Sequence, residues 1–145
     1  MTHEGLLIIG YGNELRGDDA VGPLAARKLA DRGFDALALH QLTPELAERI
    51  AAARAVIFLD ADACVPPRHV MVEPLVPDGA PSTLGHYGGS AGLLFLAQTV
   101  YGACPDAWLV RIGAESFEFG EGMSEAAEQA VRAAIDETMR IGAQL

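Results

Sequence analysis

The sequence predicts a single-domain α/β fold, a three-layer sandwich whose mostly parallel five-stranded sheet carries helices on both faces. The chain has 145 residues, which is close to the length of one domain. Of these residues, 50% are hydrophobic and 21% are charged, as is typical of a globular protein. Short apolar runs alternate with segments of helical spacing, and this alternation implies right-handed crossovers and a parallel sheet. The chain has no repeat or linker, so residues 1–145 are expected to form one domain.

The five predicted strands are short, largely apolar runs. The first is apolar throughout and ends at Gly10, a pattern typical of a strand that is buried on both faces of a sheet. The third has the strongest strand pattern, and Asp60 follows it directly. In chain order the predicted strands cover residues 6–9, 36–42, 55–59, 70–75 and 107–112.

Four helices are predicted between and after these strands. The first has apolar residues at helical spacing and is expected to stop at Gly33. The second is expected to begin with Thr43 as its N-cap and Pro44 at its first position. The third is apolar all round, which predicts a buried helix, and the fourth is amphipathic, with Ser124 as N-cap and Gly142 after its end. The predicted helices cover residues 21–32, 43–53, 90–101 and 124–141.

Charge and cysteine content exclude several classes of partner and compartment. The formal net charge is −10, so the chain repels the phosphate backbone of nucleic acids and the surface of anionic membranes. Cys64 and Cys104 are the only cysteines and lack CxxC spacing, which favours a reducing compartment. Residues 1–4 have no charged region before an apolar stretch, so no secretory signal is expected. We therefore expect a cytoplasmic protein that binds neither nucleic acid nor membrane.

Parallel sheets place functional groups at the carboxyl ends of their strands, so the loop after the first strand is the first candidate. It contains Gly10 and Gly12, but Leu15 replaces the third glycine of a dinucleotide-binding loop, and its acids would repel phosphate. Asp18 and Asp19 are adjacent at the expected start of a helix. One of them is predicted to cap that helix, which leaves the other carboxylate free to bind a cation or a cationic group.

Asp60 and His86 are the other candidates at this edge of the sheet. Asp60 is expected either to cap a nearby helix or to serve the site. His86 lies in a glycine-rich loop, and a histidine with two carboxylates from separate loops would suit a divalent metal ion. Asp62 is expected to point away from Asp60 and to be solvated. Cys64 is interpreted as a small structural residue rather than a nucleophile, because neighbouring acids disfavour a thiolate.

Four blocks of sequence, spread over residues 10–124, then match one family pattern in order and spacing. With these blocks the chain resembles the [NiFe]-hydrogenase maturation endopeptidases. It departs from the family pattern at Ala20, Leu84 and Ala114, and none of these positions is a proposed ligand. The matching blocks are Gly10-Tyr11-Gly12-Asn13 through Asp18-Asp19-Ala20-Val21-Gly22, Val56-Ile57-Phe58-Leu59-Asp60-Ala61, Gly85-His86 followed by Gly92-Leu93-Leu94, and Ile112-Gly113-Ala114-Glu115-Ser116-Phe117-Glu118-Phe119-Gly120 with Gly122-Met123-Ser124.

The resemblance implies a peptidase, its substrate and its site residues. Proteins of this family remove a C-terminal extension from the hydrogenase large-subunit precursor after nickel insertion. The resemblance implies that Asp19, Asp60 and His86 are the metal-binding and catalytic residues, and that nickel carried by the precursor is the recognition element. Cadmium or zinc is expected to substitute for nickel at the same ligands. It also implies a monomer that meets its precursor transiently.

Two other functions remain open from the residues alone. A nucleotide- or small-ligand-binding α/β protein would use the glycine loop, and nucleotides but not Ni²⁺ or Cd²⁺ would stabilise it. A protein of the same fold that binds a metal centre or a peptide without cutting it would form a stable complex and leave the precursor mass unchanged.

Overall fold

The computed structural model describes residues 4–79, 89–120 and 122–145. Within these ranges the chain forms five strands, four α-helices and one short 3-10 helix, Gly17–Ala20. The strands are β1 (Leu6–Tyr11), β2 (Asp35–Leu39), β3 (Ala55–Asp62), β4 (Val70–Pro74) and β5 (Asp106–Gly113). The helices are α1 (Val21–Asp31), α2 (Leu46–Ala52), α3 (Gly89–Tyr101) and α4 (Glu125–Ala143).

All five strands join in one sheet with the order β2-β1-β3-β5-β4. The pairs β1–β2, β1–β3 and β3–β5 are parallel, and only the edge strand β4 is antiparallel to its neighbour. Helices α1 and α4 cover one face, and α2 and α3 cover the other. This arrangement confirms the predicted three-layer α/β fold with a mostly parallel sheet.

The central strand β3 shows how the two faces are filled. Ile57 and Leu59 pack against α1 and α4, whereas Val56 and Phe58 pack against α2 and α3. All four side chains are fully buried, which explains why a strand covered on both faces is apolar without alternation. The even-numbered positions of β3 therefore face α2 and α3, and Asp60 continues this series.

Two helix starts were predicted from capping residues, and the structure bears out one of them. Ser124 caps α4, because its side-chain oxygen accepts a hydrogen bond from the Ala127 N–H at 3.1 Å. Thr43 does not cap α2, which begins at Leu46. Instead the Leu46 N–H bonds the Thr43 carbonyl at 3.1 Å, so this segment forms a turn before the helix.

Tertiary packing changes the two longest helices from their predictions. Phe95, Val100 and Tyr101 are exposed on α3, so this helix is buried on one face rather than all round. Helix α4 continues through Gly142 to Ala143. A Cβ on Gly142 would lie 3.3 Å from Leu6, so this glycine allows a close approach between α4 and the sheet instead of ending the helix. None of the described helices is long and apolar enough to cross a membrane.

Candidate functional site

The candidate site lies where β1 and β3 end at the same edge of the sheet. The loop after β1 folds back on itself at Gly12, whose φ is +153°. A Cβ there would lie 2.1 Å from the Asp19 carbonyl oxygen, so a side chain at this position would push the loop apart. Glycine is therefore the residue that lets Asp19 approach the end of β1.

Asp19 is held by the backbone of this same loop. Its Oδ2 accepts a hydrogen bond from the Asn13 N–H at 2.5 Å. The side chain is partly exposed, and each carboxylate oxygen has two lone pairs, so acceptor capacity remains for a cation. The structure thus orients Asp19 without using up its ability to bind a ligand.

Asp60 lies within β3, two residues before its end, and faces the same space. Its Oδ2 accepts a hydrogen bond from the Tyr11 hydroxyl at 3.1 Å. Burial raises the pKa of Asp60 to about 6; the Tyr11 hydrogen bond opposes this rise, and the negative charge of Asp19 adds to it. The two carboxylates are therefore close enough to repel each other, an arrangement that a divalent cation between them would stabilise.

Tyr11, the last residue of β1, forms a cluster with Asp19 and Asp60. Burial raises the pKa of its phenol, and the charge of Asp60 raises it further. The phenol therefore keeps its proton at neutral pH and acts as a hydrogen-bond donor to Asp60. Tyr11 was not predicted from the sequence as a site residue, although the rule that places functional groups at the ends of parallel strands also applies to its position.

The neighbouring acid Asp18 has a structural role. It is 0% exposed, and its carboxylate accepts hydrogen bonds from the backbone N–H groups of Glu115, Ser116 and Ser124 and from the Ser124 hydroxyl, at 2.7–3.1 Å. Burial raises the pKa of Asp18, but these hydrogen bonds outweigh that effect and hold it below its ordinary value. Asp18 thus anchors the start of α4, not the helix that follows it as the sequence predicted.

Further contacts join the loop after β1 to the segment that follows β5. The Asp18 N–H bonds the Ser116 carbonyl at 2.7 Å, and the Gly120 N–H bonds the Leu15 carbonyl at 3.0 Å. Arg16 donates to the Phe117 carbonyl at 3.3 Å and lies over the Phe119 ring at 4.8 Å. Two segments about a hundred residues apart therefore act as one rigid support for Asp19.

Asp62 contradicts its prediction. Residues two apart on a strand share a face, and because β3 continues to Asp62, this side chain lies on the same side as Asp60. It forms an ion pair with Arg111 at 2.7 Å and accepts the Cys64 N–H at 2.7 Å. Burial raises its pKa, but the Cys64 N–H and Arg111 outweigh burial and lower it. Asp62 therefore forms an ion pair with Arg111, a residue that was not predicted from the sequence to lie at this edge of the sheet.

A cavity of about 190 Å³ opens beside the loop that follows β1 and bonds Asp19. Gly12 and Asn13 form part of its wall, while Arg27 on α1 and His40 after β2 lie among its other lining residues. Arg27 is paired with Glu14 at this cavity. The loop that holds Asp19 therefore also borders the space next to it.

His86 lies outside the described residues, so its part in the site stays a prediction. In the described ranges, no group of three His, Cys, Asp or Glu side chains is placed to hold a metal ion. Cys64 is an exposed free cysteine. What the structure brings together is two of the three predicted ligands, Asp19 and Asp60, with a tyrosine. This is a candidate metal-binding site at the carboxyl end of an α/β sheet.

Comparisons with known proteins define the class more narrowly. No protein-family profile matches the chain, and no curated protein matches it in sequence. Solved structures do match it. The [NiFe] hydrogenase maturation protease HycI from Thermococcus kodakarensis is 26% identical with a TM-score of 0.71, and the alignment covers 97% of this chain and 92% of that one.

Two further solved structures agree. A hydrogenase 2 maturation peptidase from a Thaumarchaeota archaeon is 26% identical with a TM-score of 0.67, and the alignment covers 94% of this chain and 96% of that one. The maturation protease HybD from Thermococcus kodakarensis has a TM-score of 0.77 at 21% identity, with 94% and 98% of the two chains covered. These similarities confirm the predicted resemblance to the [NiFe] hydrogenase maturation proteases, and the two structures at 26% identity are named as peptidases of that kind. The HybD structure, at 21% identity, agrees with the fold.

Proposed function

We propose that this protein is the endopeptidase that removes the C-terminal extension of a [NiFe]-hydrogenase large-subunit precursor after nickel insertion. In this proposal it recognises the nickel bound in the precursor through Asp19, Asp60 and His86. The observation that carries the proposal is that Asp60, which accepts the Tyr11 hydroxyl at the end of the sheet, lies close enough to Asp19 for the two charges to repel each other. Structural neighbours that are named as hydrogenase maturation proteases support the class of substrate.

The chemistry of the two acids fits a divalent ion of intermediate hardness. Carboxylate oxygens bind such ions well, and an imidazole nitrogen completes a common ligand set. Burial is the main cause of the raised pKa of Asp60, and the negative charge of Asp19 adds to it; a divalent cation would offset both effects. Nickel, or cadmium or zinc in its place, would therefore stabilise the ionised form of both ligands.

In this proposal nickel belongs to the substrate, and its position determines which peptide bond is cut. Binding of the nickel at Asp19 and Asp60 would hold the cleavage site of the precursor at a fixed distance from the metal. Cleavage would then be an effectively intramolecular step. A divalent ion can polarise a carbonyl or activate water for hydrolysis. We further propose that the enzyme acts as a monomer. We also propose that it acts in the cytoplasm, because free cysteines are typical of a reducing compartment.

Nickel-dependent cleavage is the first expected result. Incubation with a nickel-loaded precursor should release a C-terminal peptide, and intact mass should show the loss; the nickel-free precursor should keep its mass. Cleavage of both forms would keep the peptidase and overturn the recognition of nickel. A stable complex with no change in mass would favour a binding protein of the same fold. Stabilisation by nucleotides, with neither cleavage nor a complex, would favour a nucleotide-binding protein.

Substitution of the third ligand tests the same proposal within one assay. We expect His86→Ala to abolish cleavage of the nickel-loaded precursor and to leave the melting temperature unchanged. The matched control is His69→Ala, since His69 is an exposed histidine whose ring contacts only the nearby Pro67 carbonyl among the described residues. Normal processing by a folded His86→Ala variant would remove His86 from the site.

A further inference from the structure

Tyr11 is linked to the proposed metal site by the sheet rather than by a loop. Gly10 and Leu59 are register partners in the parallel pair β1–β3, so Tyr11 and Asp60 are the next residues along these two strands. Both side chains face α2 and α3, and Tyr11 packs against the core on that side. Their separation is therefore set by strand pairing, one of the most rigid parts of the fold.

The Tyr11 hydroxyl lies between Asp60 and the start of α3. It donates to Asp60 Oδ2 at 3.1 Å, and the Ser90 side chain is close enough to the same phenol to lower its pKa. Ser90 lies in the first turn of α3 and is only 6% exposed. Strand β1, the metal ligand on β3 and the start of α3 are thus joined through one phenol oxygen.

We propose that Tyr11 is a positioning residue that holds the Asp60 carboxylate in the orientation that binds the metal. This inference rests on the proposed function. Groups that hydrogen-bond a metal ligand orient it and tune its affinity, and their loss typically weakens metal binding by about 10- to 100-fold. Tyr11 is suited to this role because its hydroxyl donates directly to Asp60 Oδ2 at 3.1 Å.

The two proposed ligands are oriented by different means. Asp19 is held by the backbone N–H of Asn13, which no side-chain substitution at residue 13 other than proline would remove. Asp60 is held by the side chain of Tyr11, which a single substitution removes without touching either ligand. Tyr11→Phe therefore isolates the orientation of one ligand.

The experiment compares Tyr11→Phe with Tyr101→Phe, a matched control because Tyr101 is exposed at the end of α3. Calorimetric titration measures the affinity of each isolated protein for Ni²⁺, and the processing assay measures kcat and KM for the nickel-loaded precursor. We expect Tyr11→Phe to lose about 10-fold or more in Ni²⁺ affinity and to raise KM more than it lowers kcat. Its metal-free melting temperature should fall by only a few degrees, because one hydrogen bond is lost. Every property of Tyr101→Phe should match that of the wild type.

The possible outcomes distinguish a failure of this inference from a failure of the proposed function. If the wild-type protein cleaves the precursor and Tyr11→Phe has the same Ni²⁺ affinity and KM, the positioning role is wrong and the proposed function stands. A lower metal-free melting temperature with unchanged Ni²⁺ affinity would assign Tyr11 a structural role and also overturn the inference. If the wild type neither cleaves the precursor nor binds Ni²⁺, the proposed function fails, and the inference fails with it.

Discussion

Asp60→Asn is expected to abolish processing and, at the same time, to make the protein more stable above pH 6. Burial raises the pKa of Asp60 from its ordinary value of 3.8 to about 6, so the folded state disfavours the carboxylate charge. This cost is absent below pH 4, grows between pH 4 and 6, and is complete above pH 6, because the unfolded chain ionises first. Asparagine removes the charge but keeps an oxygen that accepts the Tyr11 hydroxyl.

At pH 8 the free energy of unfolding of Asp60→Asn should exceed that of the wild type by about 1–3 kcal/mol, after allowance for the partial exposure of residue 60. Its melting temperature should rise by a few degrees. Processing of the nickel-loaded precursor should fall by at least about 100-fold. This is more than the effect expected from losing a group that only hydrogen-bonds a metal ligand. Thermal unfolding at pH 4 and pH 8 measures the first effect. Asp106→Asn, which removes an exposed charge, controls for net charge. A variant that is less stable than wild type at pH 8, or that still cleaves, would contradict the assignment of Asp60.

Asp18→Ala is expected to destabilise the protein severely. The buried carboxylate accepts four hydrogen bonds, three of them from backbone N–H groups. Removing it leaves these donors buried without a partner, which typically costs about 3–5 kcal/mol. Denaturant unfolding at pH 7 should show this loss. The pKa of Asp18 is lowered on folding, so its contribution is present above its ordinary pKa and is lost as the pH falls below it.

Asp19→Ala is the matched control, because the two acids are adjacent in the chain. Asp19 is partly exposed and accepts a hydrogen bond from one backbone N–H, so its removal should cost only about 1 kcal/mol while processing is lost. Adjacent carboxylates would then have opposite roles, one structural and one functional. Equal destabilisation by the two substitutions would show that the structure assigns them wrongly.

Most of the fold follows from local signals in the sequence. The apolar runs that become β1 and β3 are legible because strands covered on both faces must be apolar throughout. Ser124 marks the start of α4 because a serine oxygen can satisfy an N–H group that the first turn leaves unbonded. The Thr43 prediction failed because the same residue type also favours turns, and here the Leu46 N–H bonds the Thr43 carbonyl.

The candidate site was only partly predictable. Asp60 was found because parallel sheets gather functional groups at the carboxyl ends of their strands. Asp62 was misplaced because residues two apart on a strand share a face, and β3 continues through both Asp60 and Asp62. Tyr11 was missed because its partner lies 49 residues away and is reached only through strand pairing.

The α/β class, most of the strands and helices, the family resemblance and the short set of candidate acids could be predicted from the sequence alone. These depend on hydrophobic periodicity and on motifs that are local in the chain. Tertiary packing was needed to show which acid of the adjacent pair is buried, because the donors that Asp18 satisfies lie 97–106 residues away. It was also needed to show that the charges of Asp19 and Asp60 are close enough to interact and that Tyr11 donates a hydrogen bond to Asp60, since distances between side chains on separate strands are set by the packing of the sheet.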